Sequence, residues 1–283
     1  MKMMIIRIYI NNIHLLKNSN KFSIKTLFFY VNYIYKKIMT ISFIHIGKTG
    51  GTTIDYILRN KLTNYKEIHQ YNNYSNNEKF ILWIRNPIRR FVSAFNHSYY
   101  GVNIDLKTIK SFDLDHCLIP GWMKNSIKKS YTFSEYYDSL IKEFKNANHL
   151  AESLTSEDLE IKRKAIDLMN CDMEHINKGI GWYLHNGKFI ENNHNNILFV
   201  GTTENMKECI NKLSIKIGVN LDENIKLREN VYLDKSMKYL SDVAIKNIIE
   251  WYKDTDYAAL HQLLKYEFIS EEIFYSYFIY NNE

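Results

Sequence analysis

Proline is nearly absent from this chain, which has two prolines, ten glycines and three cysteines in 283 residues. The cysteines Cys117, Cys171 and Cys209 are widely spaced and odd in number, and no Cys-x-x-Cys pair occurs. This pattern supports neither a disulfide framework nor a structural zinc site. It favours a reducing compartment, so we predict a cytoplasmic protein.

Long hydrophobic runs are also lacking. The apolar run Thr26–Tyr35 is about half of the roughly 20 residues that a membrane-spanning helix needs. No small-residue cleavage site follows it, as a signal peptide would require. No Golgi-type anchor is evident, and we predict no stable membrane insertion. Met39 directly precedes the first predicted strand, so residues 1–38 are interpreted as an extension outside the fold.

The bulk composition is that of a globular protein with a sizeable core, with 46% hydrophobic and 24% charged residues. The net charge of +6 suits an anionic ligand, but a modestly basic chain does not by itself indicate nucleic-acid binding, and none is predicted. No internal repeat and no linker rich in Pro, Gly or Ser occurs. Residues 39–283 are therefore predicted to form one domain, with helical insertions at about 101–195. The oligomeric state stays open.

Alternating strand and helix patterns predict an α/β fold. We expect a P-loop-like, three-layer sandwich with a central, mostly parallel sheet and a helical C-terminal region from Tyr239. The predicted strands are Ile41–Ile46, Tyr65–His69, Phe80–Arg85 and Ile197–Val200. Helices are predicted to begin at Thr52, Pro87, Thr132, Thr155 (capped by Thr155 with Asp158) and Thr203. The segment 101–130 is predicted to be irregular.

The first motif follows the first strand and reads Gly47-Lys-Thr-Gly-Gly-Thr-Thr53. A strand–loop–helix junction directs backbone N–H groups and the positive end of a helix dipole at one point, which favours a phosphate or sulfate. Gly50 and Gly51 permit close backbone approach, and the threonines add hydroxyl donors. The order of residues is not that of a Walker A motif, because Lys48 precedes the paired glycines.

The second motif repeats the strand–loop–helix plan as Arg85-Asn-Pro-Ile-Arg-Arg-Phe-Val-Ser93. Arg85 ends a buried strand, and Arg90 and Ser93 share one helical face. An arginine fork beside a serine hydroxyl suits a phosphate monoester. In the alternative interpretation, Arg85 caps the strand end and Arg90 forms a surface ion pair. Two anion sites on neighbouring strands predict a ligand with two separated anionic groups.

Together the two motifs resemble those of sulfotransferases that use 3′-phosphoadenosine-5′-phosphosulfate, particularly the branch that sulfates carbohydrates. That family carries Pro-Lys-Thr-Gly-Gly-Thr-Ser and Arg-Asp-Pro-x-x-Arg-x-x-Ser, so Gly47 and Asn86 are departures, and Gly47 is expected to loosen the loop. The resemblance implies that the 5′-phosphosulfate is held by Lys48, Thr49, Gly50, Gly51, Thr52 and Thr53. It implies that Arg85 and Ser93 bind the 3′-phosphate, with Arg90 supporting. No metal cofactor is expected.

Sulfuryl transfer needs positive charge at the leaving oxygen and a base for the acceptor hydroxyl. Lys48 suits the first of these roles. For the second we favour His69, at the predicted end of the second strand, where parallel sheets bind ligands. Related enzymes also carry a histidine base between the two motifs. His97 and Glu67 are the alternatives, and His45 is predicted to be a packed core histidine.

The acceptor is predicted to be a carbohydrate or another hydroxyl-bearing molecule. Trp122, Trp182 and Tyr183 are candidates for stacking on sugar rings, although most aromatic residues of such a chain are core residues. Arg228 is a further candidate for the 3′-phosphate. Two other functions stay open: a P-loop-like nucleotide-binding protein or kinase, which requires Mg²⁺, and a catalytically silent nucleotide-binding module.

Overall fold

A computed structural model describes residues 40–70, 78–103, 131–171, 175–225 and 235–282. Its centre is a four-stranded, all-parallel sheet with the strand order β2-β1-β3-β4. The strands are β1 (Thr40–Ile44), β2 (Tyr65–Ile68), β3 (Glu78–Ile84) and β4 (Ile197–Thr202). The prediction of an α/β protein with a parallel sheet is confirmed.

Helices account for most of the remaining described chain. They are α1 (Gly51–Arg59), α2 (Pro87–Asn103), α3 (Tyr131–Glu143), α4 (Ala147–Ser153), α5 (Leu159–Asn170), α6 (Ile180–Tyr183), α7 (Lys188–Asn193), α8 (Met206–Ile217), α9 (Asp242–Tyr252), α10 (Ala258–Lys265) and α11 (Glu271–Ser276). A π-helical turn, Lys253–Tyr257, joins α9 to α10. The predicted helical C-terminal region is therefore present.

The core is divided into two hydrophobic clusters because successive residues of a strand point to opposite faces. In β3, Ile81 and Trp83 pack with residues of α1 and α8. Phe80 and Leu82 belong to the other cluster, which contains residues of α2 to α5 and of the C-terminal helices. This explains why β3 is uniformly apolar from Phe80 to Ile84: both of its faces are buried there.

Three predicted boundaries were wrong, and one of them is the start of the helix predicted from Thr203, which begins at Met206. The first strand ends at Ile44 rather than Ile46, so His45 lies in the turn after it. The helix predicted from Thr155 begins at Leu159, because the carboxylate of Asp158 accepts the N–H groups of Glu160 and Ile161 and caps it. A separate short helix, α4, precedes it.

Most of the predicted irregular segment lies outside the described residues, except that α2 continues through Asn103. The extension at 1–38 lies outside them as well. Within the described parts of the chain, none of the helices has both the length and the hydrophobicity that a membrane crossing requires.

Candidate functional site

The carboxyl ends of the four parallel strands carry most of the predicted site residues, and hydrogen bonds connect them. The His69 ring, after β2, bonds through Nδ1 to the main-chain oxygen of His45, 3.1 Å away. Arg85, after β3, donates from Nη1 to the main-chain oxygen of Lys48 over 3.2 Å. Thr203, after β4, donates its hydroxyl to the main-chain oxygen of Thr49 over 2.6 Å. The turn after β1 is thus held by residues that follow the other three strands.

The glycine turn, residues 47–50, leads directly into α1, as the sequence predicted. Lys48 and Gly50 have φ angles of 69° and 78°, in the left-handed region. Gly50 is the N-cap of α1, and no side chain caps this helix. The first N–H groups of a helix have no intrahelical acceptor, so those of Gly51 and Thr52 are oriented for an anion.

The three threonines of the first motif, Thr49, Thr52 and Thr53, have different environments. The Thr49 side chain is fully buried, and its hydroxyl donates to the main-chain oxygen of Ile46 over 2.8 Å. Thr49 can therefore offer a ligand its N–H group but not its hydroxyl. Thr52 is half-buried and Thr53 is buried, both in the first turn of α1.

Arg85 combines a half-buried side chain with a buried, unused donor. Its Nε is buried and has no hydrogen-bond partner among the described residues. Burial lowers the pKa of Arg85, and the nearby carboxylate of Glu204 acts in the opposite direction. A half-buried arginine with an unused N–H next to Lys48 is the arrangement expected of a residue that receives an anion.

The departure at Asn86 has a structural explanation. The Asn86 side-chain oxygen accepts the N–H groups of Ile88 and Arg89 and so caps α2. Its Nδ2 donates to the main-chain oxygen of Ile279 over 3.0 Å, which an aspartate could not do. The amide thus connects the start of α2 to the C-terminal segment of the chain.

Arg90 is a core residue rather than a surface residue. Its side chain is fully buried, with Nε 3.6 Å from Oδ2 of Asp256, which is also fully buried. Nη1 donates to the main-chain oxygens of His175 and Lys178, over 2.9 and 3.1 Å. The ion pair of the alternative interpretation exists but lies in the core, and Arg90 also binds the main-chain oxygens of His175 and Lys178.

Two other residues of α2 lie on the same helical face as Arg90. Ser93 is 9% exposed. His97, the alternative base, is half-buried, and its ring centroid is 5.7 Å from that of His175.

His45 is not the packed core residue that we predicted. It is 17% exposed at the side chain, its Nδ1 contacts Oε1 of Glu67, and its ring stacks on that of His69 at 5.2 Å. Glu67 also accepts from Arg59, and its hydrogen bond with His45 is the largest cause of a lowered pKa. A carboxylate with a lowered pKa and two partners is a poor general base, which leaves the histidines as candidates.

His45, Glu67 and His69 also have the residue types of a metal site. One ligand atom of each lies within 4.8 Å of the other two. In the structure, however, the Glu67 oxygens are used by His45 and Arg59. These contacts form a hydrogen-bonded group without requiring an ion. That the protein needs no metal stays a prediction.

Sequence reasoning missed His175, which adjoins the glycine turn. Its imidazole lies against Gly47 next to Lys48, and its Nδ1 is buried. Burial, together with the positive charge of Lys48, lowers the pKa of His175 to about 2, so the ring is neutral. No motif surrounds this residue, and the sequence carries no local signal that points to it.

The aromatic candidates have other roles. Tyr183 is buried, and its hydroxyl accepts the N–H group of Gly47, so its interpretation as an exposed stacking residue was wrong. This bond also holds the turn at the position that we expected to be loose. Trp182 is half-buried with Lys178 over its ring at 5.2 Å. Trp122 and Arg228 lie outside the described residues.

Comparisons of the chain with protein-family models, with curated proteins and with solved structures found no match.

Proposed function

We propose that this protein transfers a sulfuryl group from 3′-phosphoadenosine-5′-phosphosulfate to a hydroxyl group, with a carbohydrate as the favoured acceptor. The observation that carries the proposal is the contact between Arg85 Nη1 and the Lys48 main-chain oxygen at 3.2 Å. The two anion-binding motifs adjoin, as one ligand with two anionic groups requires. The choice of a carbohydrate rests on the resemblance of the motifs alone. We also propose that the fold is a P-loop-like, three-layer sandwich.

In the proposed complex the 5′-phosphosulfate lies at the start of α1, where Lys48 and the N–H groups of Gly51 and Thr52 face it. The 3′-phosphate lies at Arg85, whose buried Nε supplies a donor, and at Ser93. The contacts from Lys48 and Arg85 are charge-assisted hydrogen bonds to an anion. Binding needs no metal in this arrangement.

The reaction is a displacement at sulfur. The acceptor oxygen forms a bond to sulfur while the bond between sulfur and the bridging oxygen breaks, and adenosine 3′,5′-bisphosphate leaves with that oxygen. Lys48 stabilises the negative charge that develops there. The proton of the acceptor hydroxyl passes to His69.

His69 is suited to receive this proton. A carbonyl oxygen can only accept a hydrogen bond, so the contact with the His45 oxygen assigns the His69 proton to Nδ1. Nε2 of the neutral ring then carries the lone pair. Because His69 is exposed, an acceptor molecule can approach it.

The binding half of the proposal is tested by calorimetric titration with adenosine 3′,5′-bisphosphate, with and without EDTA. We expect binding that EDTA does not change and that Arg85→Ala weakens by about tenfold to a hundredfold, since a hydrogen bond to a charged group contributes about 1.5–3 kcal/mol. Arg163→Ala, which changes an exposed arginine of α5, is the control. Tight binding of ATP with Mg²⁺ and none of the bisphosphate would favour the nucleotide-binding or kinase alternative.

The catalytic half is tested by His69→Ala. Loss of the base should lower turnover by about 10²-fold or more, with binding of adenosine 3′,5′-bisphosphate retained. The measurement is the steady-state rate with a panel of saccharide acceptors. His97→Ala is the comparison: if it abolishes turnover while His69→Ala does not, the base is His97 rather than His69.

A further inference from the structure

His175 comes to the glycine turn from a distant part of the chain and is fixed there. A Cβ atom at Gly47 would lie 2.4 Å from Nδ1 of His175 and 2.7 Å from the Tyr183 hydroxyl. The two side chains therefore occupy the space that a side chain at position 47 would fill. The main-chain oxygen of His175 is held by Arg90, and Gly47 is held by Tyr183.

This explains why Gly47 stands where the resembling family has proline. Proline has no N–H group to donate to Tyr183, and its ring would collide with His175. The absence of a side chain at position 47 thus allows an imidazole to lie directly against the residue before Lys48.

The buried nitrogen of His175 has no partner within the described chain. A buried polar atom without a hydrogen bond costs free energy, and such atoms in native proteins call for an explanation. The charged and titratable groups that face this ring are Lys48, Arg90, His97 and His45. None of these four accepts a hydrogen bond from Nδ1, and Lys48 and Arg90 disfavour a proton that would make the ring cationic.

We propose that His175 is a second contact to the donor nucleotide: its neutral imidazole donates a hydrogen bond from Nδ1 to an oxygen of the sulfuryl group held beside Lys48. The inference rests on the proposed function. Sulfuryl oxygens only accept, so Nδ1 carries the ring proton when the donor is bound. A neutral donor orients the sulfuryl group without adding a third positive charge to those of Lys48 and Arg85. A third positive charge would hold the anionic product in the site.

The test compares two nucleotides that differ by this group. The affinities of His175→Ala for 3′-phosphoadenosine-5′-phosphosulfate and for adenosine 3′,5′-bisphosphate are measured by calorimetry without acceptor. We expect the variant to bind the first about tenfold to a hundredfold more weakly and the second as the wild type does. His175→Asn, whose amide can donate from near the position of Nδ1, should recover most of the loss. His185→Ala, at an exposed position, is the control.

The other outcomes are distinct. Equal weakening of both nucleotides, or none, overturns the proposal and leaves His175 a packing residue. If the wild type binds neither nucleotide, the proposed function itself fails. If the variants do not fold, ¹⁵N-histidine NMR of the wild type decides: the His175 Nδ1 signal should shift with the sulfated nucleotide and not with the bisphosphate, and an unchanged signal overturns the inference.

Discussion

Lys48→Ala is expected to lower turnover by about 10²- to 10³-fold, the loss that follows removal of one preorganised group that stabilises developing negative charge. In the proposed reaction this charge appears on the bridging oxygen as its bond to sulfur breaks. The backbone at Lys48 is held in one conformation, since the residue has a φ angle of 69° and Arg85 donates to its main-chain oxygen. The measurement is the steady-state rate at saturating donor and acceptor.

A second measurement separates the catalytic role of Lys48 from binding. Adenosine 3′,5′-bisphosphate keeps the oxygen that Lys48 is proposed to contact, so the variant should bind it about tenfold to a hundredfold more weakly. A fall in turnover that persists at saturating donor is then the part of the effect that weaker binding does not explain. Lys61→Ala, at an exposed position just after α1, should leave both quantities unchanged. A Lys48→Ala variant that turns over at the wild-type rate would contradict the assignment of the leaving-group role.

The strands and the two motif helices could be predicted because their signals are local. β1 and β3 are short apolar runs, and both were placed within two residues of their observed bounds. Pro87 marked the first turn of α2. The motifs at the ends of these two strands were found for the same reason, since each is contiguous in sequence.

Residues that long-range packing brings to the site could not be found in this way. His45 was interpreted as a core residue because the apolar pattern continues to Ile46, whereas the strand pairing ends at Ile44. His175 has no periodic neighbours that point to the turn, and its contact with Gly47 crosses more than a hundred residues of chain. Sequence gives the residue types in such cases but not which distant side chain fills the space above a glycine.

The Arg90–Asp256 pair is another long-range contact that sequence patterns do not reveal. Its disruption has the largest expected effect on stability. Both side chains are fully buried, and Asp256 lies in the π-helical turn, where its Oδ1 accepts the N–H group of Gly181. Arg90→Met leaves the carboxylate without its counter-charge, and removing one partner of a buried pair costs about 3–5 kcal/mol. The free energy of unfolding, from urea titration, measures this.

The neighbouring arginine supplies a matched control. Arg89 is half-buried with its guanidinium over the Tyr280 ring at 5.5 Å. Arg89→Met should cost about 1 kcal/mol or less, as expected for a cation–π contact that is partly exposed. Equal losses at the two positions would mean that the buried charge of Asp256 is not what makes Arg90 necessary.

The pH dependence of the Arg90→Met variant identifies the cause. Burial raises the pKa of Asp256, and Arg90 opposes this rise, so the variant should have a still higher pKa at Asp256. The folded variant then keeps a proton that the unfolded chain releases, and stability falls as pH rises. The difference in the free energy of unfolding between the variant and the wild type should therefore be smaller at pH 5 than at pH 8.

The double variant Arg90→Met, Asp256→Leu removes both charges and should recover much of the stability lost at pH 8. The reason is that the unpaired carboxylate, rather than the missing arginine, destabilises the single variant.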